Sequence, residues 1–367
     1  MAPSTLHAAP LAIAAALALS GCELITRADE FAVYEGLCNA CPKSSLDLRH
    51  APCPNDSSAP DSSEQYVFAA RRLQFGKPAD WEDSPKSFAL GYDMDCSDRP
   101  NEGRPVLCRP RAGAEDDSGW HQLPHGIDNS LSSRILAPLY ETAAMFGRDI
   151  DLDATYSADQ EAGRLGTLVA VSDWNATDDD PSVTVSVYSS PGVSAENGPP
   201  RWDGTDEWDR YSDVPGNDSK FFKVENAQGY VADGVLVVDH RARGDISYRF
   251  GSPENSFRII VREVSFIGRL STERLDNFNM IAVAPFTSMF EVVPEAAKVL
   301  SACDPAGELF LKDQLSDLLV GAADMPTERG RPETEACDGI TFAWAQDSVR
   351  ARFGGFKEES DLPPGCL

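Results

Sequence analysis

The sequence predicts a mainly β protein: an antiparallel β-sandwich or jelly-roll-like body with a small C-terminal helical cap, closed by disulfide bonds. Three observations predict it. Apolar residues alternate strictly in Ser182-Val-Thr-Val-Ser-Val-Tyr188, which sets Val183, Val185 and Val187 on one face of a strand. Turn formers are plentiful, with 27 Gly and 26 Pro in 367 residues, and they separate several such short runs. Near the C-terminus the spacing changes: Leu311, Leu315, Leu318 and Leu319 form one apolar stripe at helical period. No repeat at solenoid or propeller length is present.

In chain order, the stretch from Ala28 to about Gln65 reads as a tether, rich in Ser, Pro and Asp and too polar to pack on its own. The body begins at the strand formers Tyr66 to Phe75, and Phe88 to Tyr92 then leads into Asp93-Met-Asp-Cys96. Between Ile127 and Phe146, Leu131, Ile135, Leu139 and Ala143 recur every four residues, predicting a helix that Pro138 interrupts. Ile150 and Leu152 alternate as on a strand, and Leu165 to Val171 reads as another. Asp233-Gly234 between Tyr230 and Val238 suits the positive φ angles of a two-residue hairpin turn. In Phe257 to Phe266 the apolar set falls at 257, 259 and 261 and then at 264 and 266, a slip that predicts a β-bulge near Arg262. Ser288 with Glu291 reads as a capping box, and Pro294 suits the first turn of a helix over Glu295 to Ala302. Ile340 to Trp344 returns to the sheet.

Composition narrows the function classes. Lys and Arg number 32 against 59 Asp and Glu, a net charge of -27. A nucleic-acid partner is excluded by that balance, since such affinity comes from basic side chains on phosphates. Direct adhesion to anionic lipid through surface charge is disfavoured for the same reason.

The N-terminus carries an address. Residues 1–21 hold no Lys, Arg, Asp or Glu, and Leu11 to Leu19 is an apolar run of nine, the length of a signal-peptide core and too short for a membrane span. Leu19-Ser20-Gly21-Cys22 follows directly and resembles the lipobox of bacterial lipoproteins. That resemblance implies that the Cys22 sulfur receives diacylglycerol, that the signal peptide is removed, and that the new amine takes a further acyl chain such as palmitate. Several chains on one residue hold a protein at a membrane far more firmly than one. Glu23 after the cysteine, where inner-membrane retention would favour Asp, implies the outer membrane. The order of Gly126-Ile-Asp-Asn129, Trp202-Asp-Gly-Thr-Asp-Glu-Trp208, Tyr230-Val-Ala-Asp-Gly234 and Cys337-Asp-Gly-Ile340 resembles a group of uncharacterised Gram-negative envelope lipoproteins. The expected organisation is therefore a signal peptide at 1–21, a cysteine-containing tether at 22–65, the β body at 66–286, and the helical cap with a C-terminal tail at 287–367.

Of nine cysteines, setting Cys22 aside leaves an even eight: Cys38, Cys41, Cys53, Cys96, Cys108, Cys303, Cys337 and Cys366. In an oxidising envelope these predict four disulfides. Proximity pairs Cys96 with Cys108 and Cys303 with Cys337, leaving the N-terminal trio to share Cys366. Cys38-Asn-Ala-Cys41 has no second C-x-x-C to complete a zinc site.

No nucleophile elbow, phosphate loop or dinucleotide fingerprint occurs, and His121-Gln-Leu-Pro-His125 is broken by Pro124. No catalytic residue, metal site or cofactor is assigned. The one candidate ligand surface lies in two acidic loops, Asp178-Asp179-Asp180 and the run through Trp202, Asp203, Asp206, Glu207, Trp208 and Asp209. Calcium takes six to eight oxygens, which such loops can supply, and aromatic faces among acids suit sugars. Solvated turns with the two indoles covering core would use the same residues. The expectation is a lipid-anchored envelope lipoprotein, non-catalytic, with a binding or structural role toward a glycan or an envelope protein. The alternatives are a glycan-active hydrolase and a calcium-dependent glycan-binding protein.

Overall fold

A computed structural model describes residues 62–76, 108, 122–123, 127–145, 151–194, 198–211, 223–239, 246–251, 256–301, 304–325, 327 and 335–357. The signal peptide with Cys22, most of the tether, the segment Phe88 to Tyr92, His121, His125 and the cysteines at 38, 41, 53, 96, 303 and 366 lie outside the described residues.

Among the described residues twelve strands are formed: β1 (Tyr66–Gln74), β2 (Gln122–Leu123), β3 (Ile127–Asp128), β4 (Gly166–Ser172), β5 (Asp180–Ser190), β6 (Glu207–Tyr211), β7 (Lys223–Ala232), β8 (Val235–Asp239), β9 (Ile246–Gly251), β10 (Ser256–Leu270), β11 (Arg274–Pro285) and β12 (Gly339–Lys357). Five helices accompany them among the described residues: α1 (Ala137–Met145), entered through a π-helical turn at Leu131–Leu136, α2 (Leu152–Glu161), α3 (Phe286–Glu291), α4 (Val293–Leu300) and α5 (Pro305–Ala322). The protein is mainly β, as the alternating pattern predicts.

The sandwich expectation takes the form of one sheet that meets itself. Strands β1, β4, β5, β7, β8, β10, β11 and β12 pair in that order, every pair antiparallel, and β12 pairs back onto β1. The result is a ring of eight strands, a size at which inward side chains just fill the interior. Closure depends on the 19-residue length of β12, which pairs with β11 from Gly339 to Val349 and with β1 from Ala345 to Ala351. The segment from 287 onward is thus helix followed by barrel wall. Inside, Val183, Val185 and Val187 of β5 meet the stacked pair Phe266 and Phe278 and the pair Phe342 and Trp344, with ring centroids 5.4 and 5.3 Å apart. Outside, β6 runs parallel to the end of β12, and β9 extends β10.

Two local predictions are met at the backbone. Asp233 and Gly234 have φ of 51° and 72°, the positive pair a hairpin turn of this type requires. In β10 the register slips between Arg262 and Ser265, and Glu263 takes φ of 50° at the bulge.

The helices pack over one end of the ring. Leu131, Ile135, Leu139 and Ala143 are all buried, and Pro138, which has no N–H to donate, lies in the first turn of α1, two residues after the π-helical turn ends at Leu136. On α5, Leu311, Leu315 and Leu319 face inward. Pro294 lies in the first turn of α4, as expected.

Three expectations change. Ser288 sits inside α3 and caps nothing: β11 runs straight into the helix, and the Phe286 N–H donates to the carbonyl of Asp338. The run around Ile150 and Leu152 begins a helix, because Asp151 accepts a hydrogen bond from the Ala154 N–H at 2.9 Å and so caps α2. The cysteine pairing by proximity is overturned at both pairs, since Cys108 bonds to Cys337 across a separation of 229 residues. Chain proximity misleads here because closing the sheet sets the start of β12 against segments from far upstream.

Candidate functional site

The acidic loop between β4 and β5 is built inward. Asp180 is 1% exposed, and its two carboxylate oxygens accept hydrogen bonds from the main-chain N–H groups of Asn175 at 2.7 Å and Ser182 at 3.0 Å. Asp179 accepts from the N–H of Asp233 at 3.1 Å, and the carbonyl of Asp178 accepts from Gly234 at 2.8 Å. The loop therefore latches onto the β7–β8 turn, whose left-handed backbone turns those two N–H groups toward it. Trp174, buried beneath, donates from its indole to the carbonyl of Thr177 and packs edge-on against Tyr66.

The second loop lies against the outer wall of β1, β4 and β12. Trp208 is fully buried against Ala69, Leu168 and Ala351. Gly166 makes room for it, since a Cβ there would lie 2.9 Å from the ring. Trp202 tilts over Trp208 at 5.4 Å, donates to the carbonyl of Glu161 at 3.3 Å, and carries the Arg71 guanidinium 5.6 Å above its ring. Asp206 accepts from the N–H groups of Arg201 and Trp202 at 2.9 and 2.7 Å. Asp203 accepts from the hydroxyl and N–H of Thr205, the hydroxyl first in effect, and its carboxyl titrates below the usual range. Glu207 is exposed at the start of β6.

Asp209 is the most elaborated carboxylate of the set. It accepts from the Ser194 hydroxyl, from the Gly355 N–H at 2.9 Å, and pairs with Lys357 at 3.0 Å. Burial pushes its carboxyl up, but the Ser194 hydroxyl, the Lys357 ammonium and the Gly355 N–H outweigh that and hold it low. Its work is to fasten β6 to β12.

The structure thus brings Trp202 and Trp208 together, and sends Asp178, Asp179 and Asp180 to a hairpin turn instead. Each buried carboxylate in the two loops is committed to main-chain N–H groups or to Lys357. Among the described residues, no group of three or more His, Cys, Asp or Glu side chains gathers as a metal site.

Two features escape any local reading of the sequence. The first is a buried polar knot: Asn129 exchanges hydrogen bonds with both the N–H and carbonyl of Ala343 at 3.2 Å, and Asp324 accepts from Thr341 and from the Ser130 hydroxyl. Its members come from three distant stretches of chain, although Asn129 ends the Gly126 to Asn129 motif. The second is an apolar chamber of about 70 Å³ between the barrel mouth and the helices, walled among the described residues by apolar side chains and Tyr156. Phe75, Ile259, Ala284 and Phe342 form its strand side, with Leu139 and Ala296 on the helix side. Compared with known families, with curated proteins and with solved structures, the chain matches none.

Proposed function

We propose that the chain is a lipid-anchored envelope lipoprotein with a non-catalytic binding role, held at the outer membrane through acylated Cys22. Leu19-Ser20-Gly21-Cys22, set directly after a nine-residue apolar run, is the observation that carries this reading. The Cys108–Cys337 disulfide supports it, because such bonds persist in the oxidising compartments that exported proteins reach. A binding rather than hydrolytic role is supported by the use of the acids: Asp209 is paired with Lys357, and Asp180 and Asp206 are spent on main-chain N–H groups. A glycosidase needs two carboxyls free to exchange protons with substrate. Trp202 tilts against Trp208, and Trp208 is buried against the wall, which favours a structural role for that loop over a sugar platform.

Metabolic labelling with radioactive palmitate tests the anchor. Wild type is expected to take the label and to fractionate with membranes, and Cys22→Ala to lose both. Label retained by Cys22→Ala would overturn the assignment. Release of reducing ends from envelope glycan, lost in Glu207→Gln, would instead establish the hydrolase.

A further inference from the structure

We infer that the chamber between the barrel mouth and the helices is a binding site for the end of a single hydrocarbon chain of a free amphiphile. The inference rests on the binding role proposed above and gives that role a ligand class.

The lining decides the chemistry. Among the described residues its walls come from Phe75 just past β1, from β10, β11 and β12, from the π-helical turn and from α1 to α5, and the Tyr156 hydroxyl is the one side-chain polar group among them. A buried water needs two to four polar partners, and the chamber, at about 70 Å³, has room for several waters at ~10–15 Å³ each but no such partners among the described residues. An apolar occupant suits it and a hydrated one does not. Below the chamber the ring is filled by the aromatic pairs Phe266 with Phe278 and Phe342 with Trp344, so the space lies at the mouth. Small residues widen it at facing positions, Ala284 on β11 and Ala296 on α4. Leu152, Tyr156, Phe257, Met289, Val292 and Leu300 line it while remaining half-buried, and the chamber is not sealed from the surface. A chain end enters from the surface, and the polar head stays in water.

Calorimetric titration of the whole chain carrying Cys22→Ala tests this without an attached anchor. Dodecan-1-ol and dodecanoate are expected to bind with similar affinity and to raise the melting temperature. Dodecanedioate, which would have to bury a carboxylate, is expected not to bind. Ala296→Phe and Ala284→Leu, which fill the space from opposite walls, should each weaken dodecan-1-ol by about tenfold or more while melting no lower than the parent. Absence of binding by both monofunctional chains, equal binding of dodecanedioate, or unchanged affinity in folded filled variants would each overturn the site. Binding by Cys22→Ala but not by acylated wild type would overturn the free amphiphile as occupant, putting the protein's own acyl chain there. None of these results bears on labelling at Cys22, so the anchor and the site stand or fall separately.

Discussion

The Asp324 carboxylate accepts two hydrogen bonds from Thr341, one from its main-chain N–H at 2.9 Å and one from its hydroxyl, while Ser130 donates a third at 2.7 Å. One side chain thereby joins the segment after α5, the start of β12 and the entry to the π-helical turn. Those are the places where the helices meet the barrel, so the roof of the chamber depends on this acid.

A pH dependence follows. Burial pushes the Asp324 carboxyl up to about 6 from 3.8, against the opposing effect of its hydrogen-bond donors. Between those values the folded chain holds a proton that the unfolded chain has released, so stability falls as pH rises through the window and levels off above it. Two units at about 1.4 kcal/mol each bound the loss at roughly 3 kcal/mol. Asp324→Asn cannot titrate, so the stability of wild type relative to this variant should decline from pH 4 to pH 7 in urea titrations. A constant difference across that range would refute the shift.

Breaking the Cys108–Cys337 bond should cost about 5 kcal/mol, since it closes a loop of 229 residues whose unfolded ensemble it restricts. Guanidinium unfolding of the Cys108→Ser/Cys337→Ser protein reads this directly. Both cysteines are buried, so reductant alone should act slowly on the folded protein.

Periodicity made single elements legible, and it stopped at their partners. The β5 alternation, the slip in β10 and the Asp233-Gly234 turn are each written within a few residues, because they concern one strand's faces or one turn's φ angles. Closure of β12 onto β1 is written in no such window, since an alternating strand carries no record of which neighbour it will take. The same gap explains the disulfide, whose cysteines are neighbours only after closure. The acidic loops were visible as compositions, but an acid that caps a turn and one that waits for a ligand look alike in a sequence. Burial of Asp180 and the Lys357 partner of Asp209 tell them apart.

Trp208 gives a sharp packing test. A Cβ on Gly166 would meet its ring at 2.9 Å, and the ring is fully buried with Ala69, Leu168 and Ala351 around it. Gly166→Ala should cost roughly 1–3 kcal/mol through overpacking. Trp208→Ala should cost about 3–5 kcal/mol by leaving a cavity. Hydrogen exchange should speed up first at residues 207–211 and 352–357, where β6 pairs with β12. Protection unchanged there would detach the indole from the job of holding β6.

Asp180 separates a turn from a calcium site. Both its oxygens are occupied by the N–H groups of Asn175 and Ser182, and the residue is 1% exposed. Removing it leaves two part-buried main-chain donors without their acceptor, so Asp180→Ala should destabilise the protein by about 1–2 kcal/mol with no calcium present. Asp180→Asn keeps one acceptor and should lose less. A calcium site would behave in the opposite way: millimolar calcium would raise the melting temperature of wild type, and that gain, more than the baseline, would vanish in the variants. Asp178→Ala provides the contrast within the same loop, because it is the main-chain carbonyl of Asp178, untouched by the substitution, that holds Gly234. Melting curves of the three variants with calcium and with chelator should show Asp180→Ala lowest and Asp178→Ala close to wild type, each indifferent to the ion. A calcium-dependent rise in wild type that Asp178→Ala abolishes would restore the loop as a ligand site.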